Sequence, residues 1–516
     1  MQTMKLHLYL ITGTLLCLSM STQQVLAAVD ASMQASSPAP EASLLDLDVE
    51  KPTEAAASNA DDIVDLPYDT GDEDVDVTGD TRPTAEGADL GATVVDLSYG
   101  EDSGAVQGLD AQGEVGSASG DTSSFLPGTR LTLAHQLAAG SGRAAGLTNN
   151  RSSFRVEYER HFLGDFYLRI DGKLNLFYAN DHRAQAEGRN TLLEGSSRDA
   201  YVQYSRGNTS LRLGRQTLIW GESDAGAITD VISPRNFSEL FFISLEESRI
   251  AQFMVNVDQF SKFGDWGLFL VPDAQFNEYP EPGTAYFNDP LSAFASVTGR
   301  DTDRAEYGAR WKRTFGRTDL SVMAARLIDN DLSLVRIGIA GDGRQLLERR
   351  RHQYDMLGFS FNQVTGNVLI TAEAALKMPR AFATSAFDKL ERNGLDASVR
   401  IEYSLGNGGN HSASLEAVSR RVHDWNTRIV SAPKRSESYV LGWNNAFLNE
   451  NLTVNLLAIY GRPYGGMQTS LFAKYKWGNR FSTSLDLFYS HAQDTRDEIY
   501  LYRGTGNAVF RVIYQF

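Results

Sequence analysis

The chain has one cysteine, Cys17, and no apolar run of 18 residues or more. The first shortage excludes a disulfide framework, thiolate catalysis and cysteine-ligated metal from the body of the protein. The second excludes a polytopic helical membrane protein, since a spanning helix needs roughly 20 consecutive apolar residues. A basic excess is missing too. The formal charge is −17, so no nucleic-acid-binding face is expected. Gly-x-Ser-x-Gly, a P-loop, His-Glu-x-x-His and a full Gly-x-Gly-x-x-Gly are all absent, and the eight histidines are scattered. No residue is therefore assigned as catalytic, no metal or cofactor is expected, and the purified protein should be inert on lipid and peptide substrates.

What is present is unevenly distributed. Residues 29–124 carry 23 acidic side chains against two basic ones, Lys51 and Arg82, whereas residues 125–516 carry 42 acidic and 45 basic ones. The negative charge thus belongs to one segment. Residues 1–27 read as a signal peptide: Lys5, a short apolar stretch from Leu8 to Leu18, and a Val25-Leu26-Ala27 cleavage site. Cys17 lies inside that stretch, and Leu15-Leu16 lack the small residue that lipidation requires. Residues 28–124, rich in Ala, Asp, Gly and Ser, bury too little apolar surface to offset ordering and are expected to be a disordered periplasmic tether. Ile63–Tyr68 is echoed by Val94–Tyr99, which is either a chance similarity within a biased tract or a repeat suited to docking on a periplasmic or inner-membrane partner. Asp72, Asp74 and Asp76 resemble a calcium loop, but Val77 and Pro83 at the sixth and twelfth positions exclude an EF-hand.

From residue 125 onward the pattern has period two. Leu168, Ile170, Leu174, Leu176 and Tyr178 share one face, and Arg169, Asp171, Lys173 and Asn175 the other. Phe154–Glu159, Val399–Tyr403 and Leu471–Trp477 repeat the alternation. Segments of about ten residues, apolar on one face and charged on the other with aromatics near their ends, predict an antiparallel transmembrane β-barrel. Phe510, Val512, Tyr514 and the terminal Phe516 lie on one face of the last strand and resemble the assembly signal of bacterial outer-membrane proteins. Membrane lipids and the barrel-assembly machinery are the partners this implies.

Loop lengths give the strand count. Starting near Thr129, short turns fall at 162–164, 206–208, 261–264, 315–318, 363–366, 406–410, 448–451 and 477–479. Long connections alternate with them near 139–151, 179–196, 218–249, 273–301, 328–350, 379–394, 422–436 and 492–505, with one short outer loop at 462–465. The parity closes at 18 strands, with 16 and 20 as the neighbouring counts, if Leu332–Ala340 is an extension within an outer loop.

The alternate polar residues should face the lumen. Arg169, Asp171, Lys173, Arg212, Arg215, Glu373, Arg400 and Glu402 are the candidate solute path. Their signs are mixed, which argues against a strongly anion-selective pore and equally fits a network of ion pairs bracing the wall. The most distinctive stretch is Leu213-Gly214-Arg215-Gln216, then Trp220-Gly221-Glu222, then Ile232-Ser233-Pro234. It resembles a proteobacterial outer-membrane barrel family of unassigned function and, more distantly, the alginate-export porins. The first resemblance implies movement of hydrophobic or bulky compounds. The second implies an 18-stranded barrel secreting an anionic polysaccharide, from which this chain departs in its mixed lumen and acidic segment.

The loop after Trp220 is too apolar to stand in water, with Ile228, Val231, Ile232, Phe237 and Leu240 all needing burial. It is expected to fold into the barrel mouth, Trp220, Glu222, Asp224, Asp230 and Arg235 forming a constriction whose charges reach the lumen wall. The loop at 273–300, with Pro280, Pro282 and Pro290, is a second candidate lid. Two functions follow: a passive outer-membrane conduit gated by residues 221–248, or a plugged barrel that anchors an envelope complex.

Overall fold

The computed structural model describes residues 127–516 except 224–226, 241–247, 289–292, 300–302 and 406–410. The expected signal peptide, acidic tether and tether repeat lie outside the described residues, as does the 406–410 turn. Within them the strands run, in chain order, β1 (Thr129–Gly140), β2 (Gly146–Phe162), β3 (Phe166–Tyr178), β4 (Thr191–Arg206), β5 (Thr209–Gln216), β6 (Gln252–Gln259) and β7 (Asp265–Val271). Then come β8 (Ala295–Thr298), β9 (Glu306–Phe315), β10 (Thr318–Ile328), β11 (Ser333–Ile339), β12 (Gln345–Arg350), β13 (Gln353–Thr365) and β14 (Val368–Ala383). The series ends with β15 (Lys389–Ser404), β16 (His411–Val422), β17 (Arg435–Phe447), β18 (Leu452–Arg462), β19 (Met467–Lys476), β20 (Phe481–His491) and β21 (Gly506–Gln515).

Eighteen of these form one sheet in which each strand pairs antiparallel with its neighbours in sequence, β8, β11 and β12 being skipped. β1 then pairs with β21, Thr132 opposite Gln515 through Ala139 opposite Ala508, and the sheet closes into a barrel. Closure leaves no strand edge unpaired, which a lipid-facing sheet requires. β11 pairs antiparallel with β12, and β12 parallel with β8, in a separate three-stranded sheet. The segment that had to be an extension within an outer loop is therefore β11.

The period-two pattern becomes two faces. Leu133, Leu137, Phe154, Ile170, Leu213, Phe253, Val322, Leu357, Val399, Leu415, Leu441 and Phe510 are exposed on the outside, an apolar band suited to hydrocarbon. At the end bearing the short turns, aromatic side chains contact one another: Phe162 with Phe166, Phe166 with Tyr204, Tyr475 with Trp477 and Tyr514 with Phe516. Such girdles mark the interface between membrane and water. Phe510 and Phe516 are exposed on the outer face at the seam.

Two connections are less than half as long as their sequence suggests. Only 141–145 separate β1 from β2, and only 384–388 separate β14 from β15. Pro379 reads as a loop residue because it donates no hydrogen bond. The strand accommodates it with a register shift between Lys377 and Arg380 and continues beyond the apolar band. A single turn of helix, α1 (His182–Ala186), is capped by Asp181, whose side chain accepts from Arg183 N–H.

Candidate functional site

The inner wall of the barrel is polar and largely paired with itself. Arg155 Nη2 lies 2.6 Å from Asp171, which is only 1 % exposed, and stands opposite Lys173 in the β2–β3 register. Arg169 bridges Glu159 at 2.8 Å and Asp199 at 3.1 Å. Arg212 reaches Asp258 at 3.0 Å, and Arg400 donates to Glu402. Arg215 is the exception in making no ion pair within 4.0 Å among the described residues; its charge only partly offsets the burial that pushes the Glu278 carboxylate up. The expected path residues thus stand on the wall, most of them as braces.

The segment after β5 runs into this lumen, and the distinctive motif explains why. Gly214 has φ +138°, and a Cβ there would lie 2.3 Å from the Ala200 carbonyl, so only glycine lets β5 run this close to β4. Gln216, two residues on, donates to the Met254 carbonyl at 3.3 Å. Leu218 N–H donates to Ser233 Oγ at 3.0 Å, closing the loop on itself. Trp220 is 2 % exposed and meets Phe269 edge-on at 5.0 Å, with the Arg310 guanidinium 5.7 Å from its ring centre. A side chain on Gly221 would strike Asp230 at 2.6 Å, so the backbone approaches closely there.

The wall holds this loop chiefly through Glu373 on β14. Its Oε1 accepts from the backbone N–H of Glu222 and, at 2.7 Å, of Ser223. Its Oε2 accepts from the Thr229 N–H at 3.3 Å and hydroxyl at 2.9 Å. Glu416 on β16 accepts from the Ser223 hydroxyl, and Lys377, paired with Asp396 at 2.8 Å, also reaches the Ala227 carbonyl at 3.5 Å. Glu222 itself is pushed up by burial, against the pull of Lys312. Around these contacts Leu218, Trp220, Ile228 and Ile232 pack with Met254, Phe269, Met323, Met356 and Val418 of the wall.

Asp230 differs from expectation. It does not reach a wall charge; it pairs with Arg235 at 3.0 Å and Arg249 at 2.8 Å, both in its own loop. Burial would raise this carboxyl, but the Arg249 and Arg235 charges outweigh it and hold it below the usual range. Asp224 lies outside the described residues. Arg235 likewise pairs within the loop, whereas Trp220 packs on Phe269 of the wall and Glu222 donates its backbone N–H to Glu373.

Farther along, the loop meets the opposite half of the wall. Glu239 accepts from Arg151 and, at 2.9 Å, from Asn149, with His182 at 3.5 Å. Leu240 and Tyr286 pack with Ala138, Val440, Leu457, Ile459, Phe488 and Val509. The second loop lies against the first: Phe237 N–H donates to the Glu278 carbonyl at 2.7 Å, and Glu278 N–H to the Arg235 carbonyl at 2.9 Å. Asn277 Nδ2 and the Tyr279 hydroxyl both donate to Asp331 Oδ1, at 2.9 and 2.7 Å. Arg249 and the Glu239–Arg151–His182 group were not picked out from sequence. The available signal was Glu239 alone in an apolar stretch, since a buried charge needs a partner.

The sequence family described as "Protein of unknown function (DUF1302)" matches residues 145–511. No curated protein matches the chain. Among solved structures, OccAB1 of Acinetobacter baumannii is similar at 13% identity, over 75% of this chain and 96% of its own, with a TM-score of 0.47. OccK5 of Pseudomonas aeruginosa is similar at 11% identity, over 75% and 97%, with a TM-score of 0.45. OpdK of the same organism, crystallised with vanillate, is similar at 10% identity, over 75% and 98%, with a TM-score of 0.46.

Proposed function

The chain belongs to the DUF1302 family, and from that premise and the geometry of its lumen we propose that it is an outer-membrane channel of a Gram-negative bacterium. The loop between β5 and β6 is its gate, and the chemistry is passage rather than catalysis. The observation that carries this reading is Glu373, one wall carboxylate that accepts four hydrogen bonds from three residues of the loop. A blockage secured at a few polar points is releasable, and the wall around it carries charge of both signs, as an aqueous path would. The solute on this reading is bulky or partly apolar, given the apolar surface the loop would uncover. A polysaccharide is the second solute of this class, supported by the Gly-Arg-Gln strand end alone.

The second reading, a permanently plugged anchor, is favoured by the apolar packing of Trp220, Ile228 and Ile232. Single-channel recording on the refolded protein separates the two, intact and with 221–248 replaced by a short glycine-rich link. A channel conducts when intact and conducts more once shortened. Silence when intact with current after shortening identifies a plug, and silence in both removes the conduit altogether.

A further inference from the structure

At the loop end of the barrel a cavity of about 150 Å³ opens between β14, β15, β16 and the segment 329–334. Leu334, Phe382, Phe387 and Pro433 give it apolar sides, and Arg380 and Arg420 enter from the strands. Most charges along it are already engaged. Asp396 is closed by Lys377 at 2.8 Å, Lys389 by Glu391 at 2.8 Å, and Asp331 by Asn277 and Tyr279. Arg421 and Glu498 stand exposed at the rim, where water screens them.

The two arginines are different. Arg380 finds Asp329 only at 4.0 Å, beyond hydrogen-bond length, and its guanidinium sits 5.7 Å from the Phe382 ring. Arg420 makes no hydrogen bond or close ion pair among the described residues, and its Nη2 is shut off from water; the charge of Asp396 acts on both arginines from a distance without meeting either donor fork. A shielded N–H donor without an acceptor is costly. The planar fork of a guanidinium matches a carboxylate in particular.

We infer that this cavity binds a carboxylate carried on a ring-sized apolar body. The carboxylate sits on Arg420 with Arg380 beside it, and the body lies among Phe382, Phe387 and Pro433. A space of roughly 150 Å³ admits a benzene-sized ring, and its apolar side, formed by Leu334, Phe382, Phe387 and Pro433, is where the ring would lie against the otherwise polar lining. The inference deepens the channel reading by naming the class of solute. Binding itself requires no conduction.

The test is calorimetric titration of the full chain, refolded in detergent, with 3-phenylpropionate, and with 3-phenylpropan-1-ol as its uncharged counterpart. Saturable binding of the acid is expected, weaker by about tenfold or more for the alcohol and for Arg420→Gln, the loss of a charged hydrogen-bond partner. Arg428→Gln, an exposed arginine 3.5 Å from Asp388 and outside the cavity lining, should bind as the parent does. Heat-modifiable gel migration checks that each variant is folded. If Arg420→Gln does not fold, Arg420→Lys, which keeps the charge and loses the fork, should bind with intermediate affinity. No saturable binding of the acid, or equal binding by the Arg420 variant, overturns the site. A barrel that binds the acid yet never conducts overturns the channel and leaves the site standing.

Discussion

A carboxylate that accepts several hydrogen bonds from one loop acts as a point of control, because each bond to a charged acceptor contributes about 1.5–3 kcal/mol. Glu373→Ala should therefore leave the barrel folded while raising the open probability about tenfold or more. Unchanged current in single-channel recording would show that Glu373 does not control the loop and that apolar packing alone holds it. Asp331 supplies a pH dependence. Burial and the neighbouring Asp329 charge raise its carboxyl to about 6, above the ordinary value near 3.9. The native state then binds the proton more tightly than the unfolded chain. The stabilisation is complete below about pH 4 and is lost as pH rises through 6. Hydrogen exchange at the Asn277 and Glu278 amides should accelerate between pH 5 and 7, after correction for intrinsic rates, and Asp331→Asn should flatten the change. Single residues are also where the sequence was least legible. Trp220 and Glu222 stood out by motif and Glu373 by alternation. The partners of Asp230 and Glu239 are brought in by loop folding, which has no period to read.

At the scale of elements the alternation was almost sufficient, because a strand between lipid and a polar lumen must alternate side chain by side chain. β3 kept the faces assigned to it, and the parity of short and long connections led to 18 strands and to β11 as an outer extension. It failed beyond the apolar band, where neither side of a strand meets lipid. β14 and β15 therefore continue unannounced past Pro379. Gly214 shows how far one position constrains a strand. Gly214→Ala would drive a Cβ into the Ala200 carbonyl and force an unfavourable φ, at a cost of roughly 1–3 kcal/mol. The temperature at which the folded band disappears in heat-modifiable migration should fall. No change would mean that β4 and β5 separate without penalty.

For the whole molecule, the pairing of β1 with β21 means that the barrel is complete within residues 129–515. A chain lacking residues 28–124 should therefore refold to the same barrel with the same unit conductance. An altered conductance would place part of that segment in the path. Global architecture was the most legible level, since a closed sheet in lipid admits few solutions. The contents of the lumen were less so, because burial there comes from loops meeting walls far away in sequence. One such meeting has a mechanical consequence. The β5–β6 loop packs through Trp220 and Ile232 on the half of the wall running from β6 to β16, and through Leu240 on the half from β17 round to β1. It is thus a strut across a hoop. A hoop braced across its diameter resists flattening, and one whose strut has swung aside does not. The conducting barrel should be the more compliant one, deforming under lateral membrane tension that the closed form withstands.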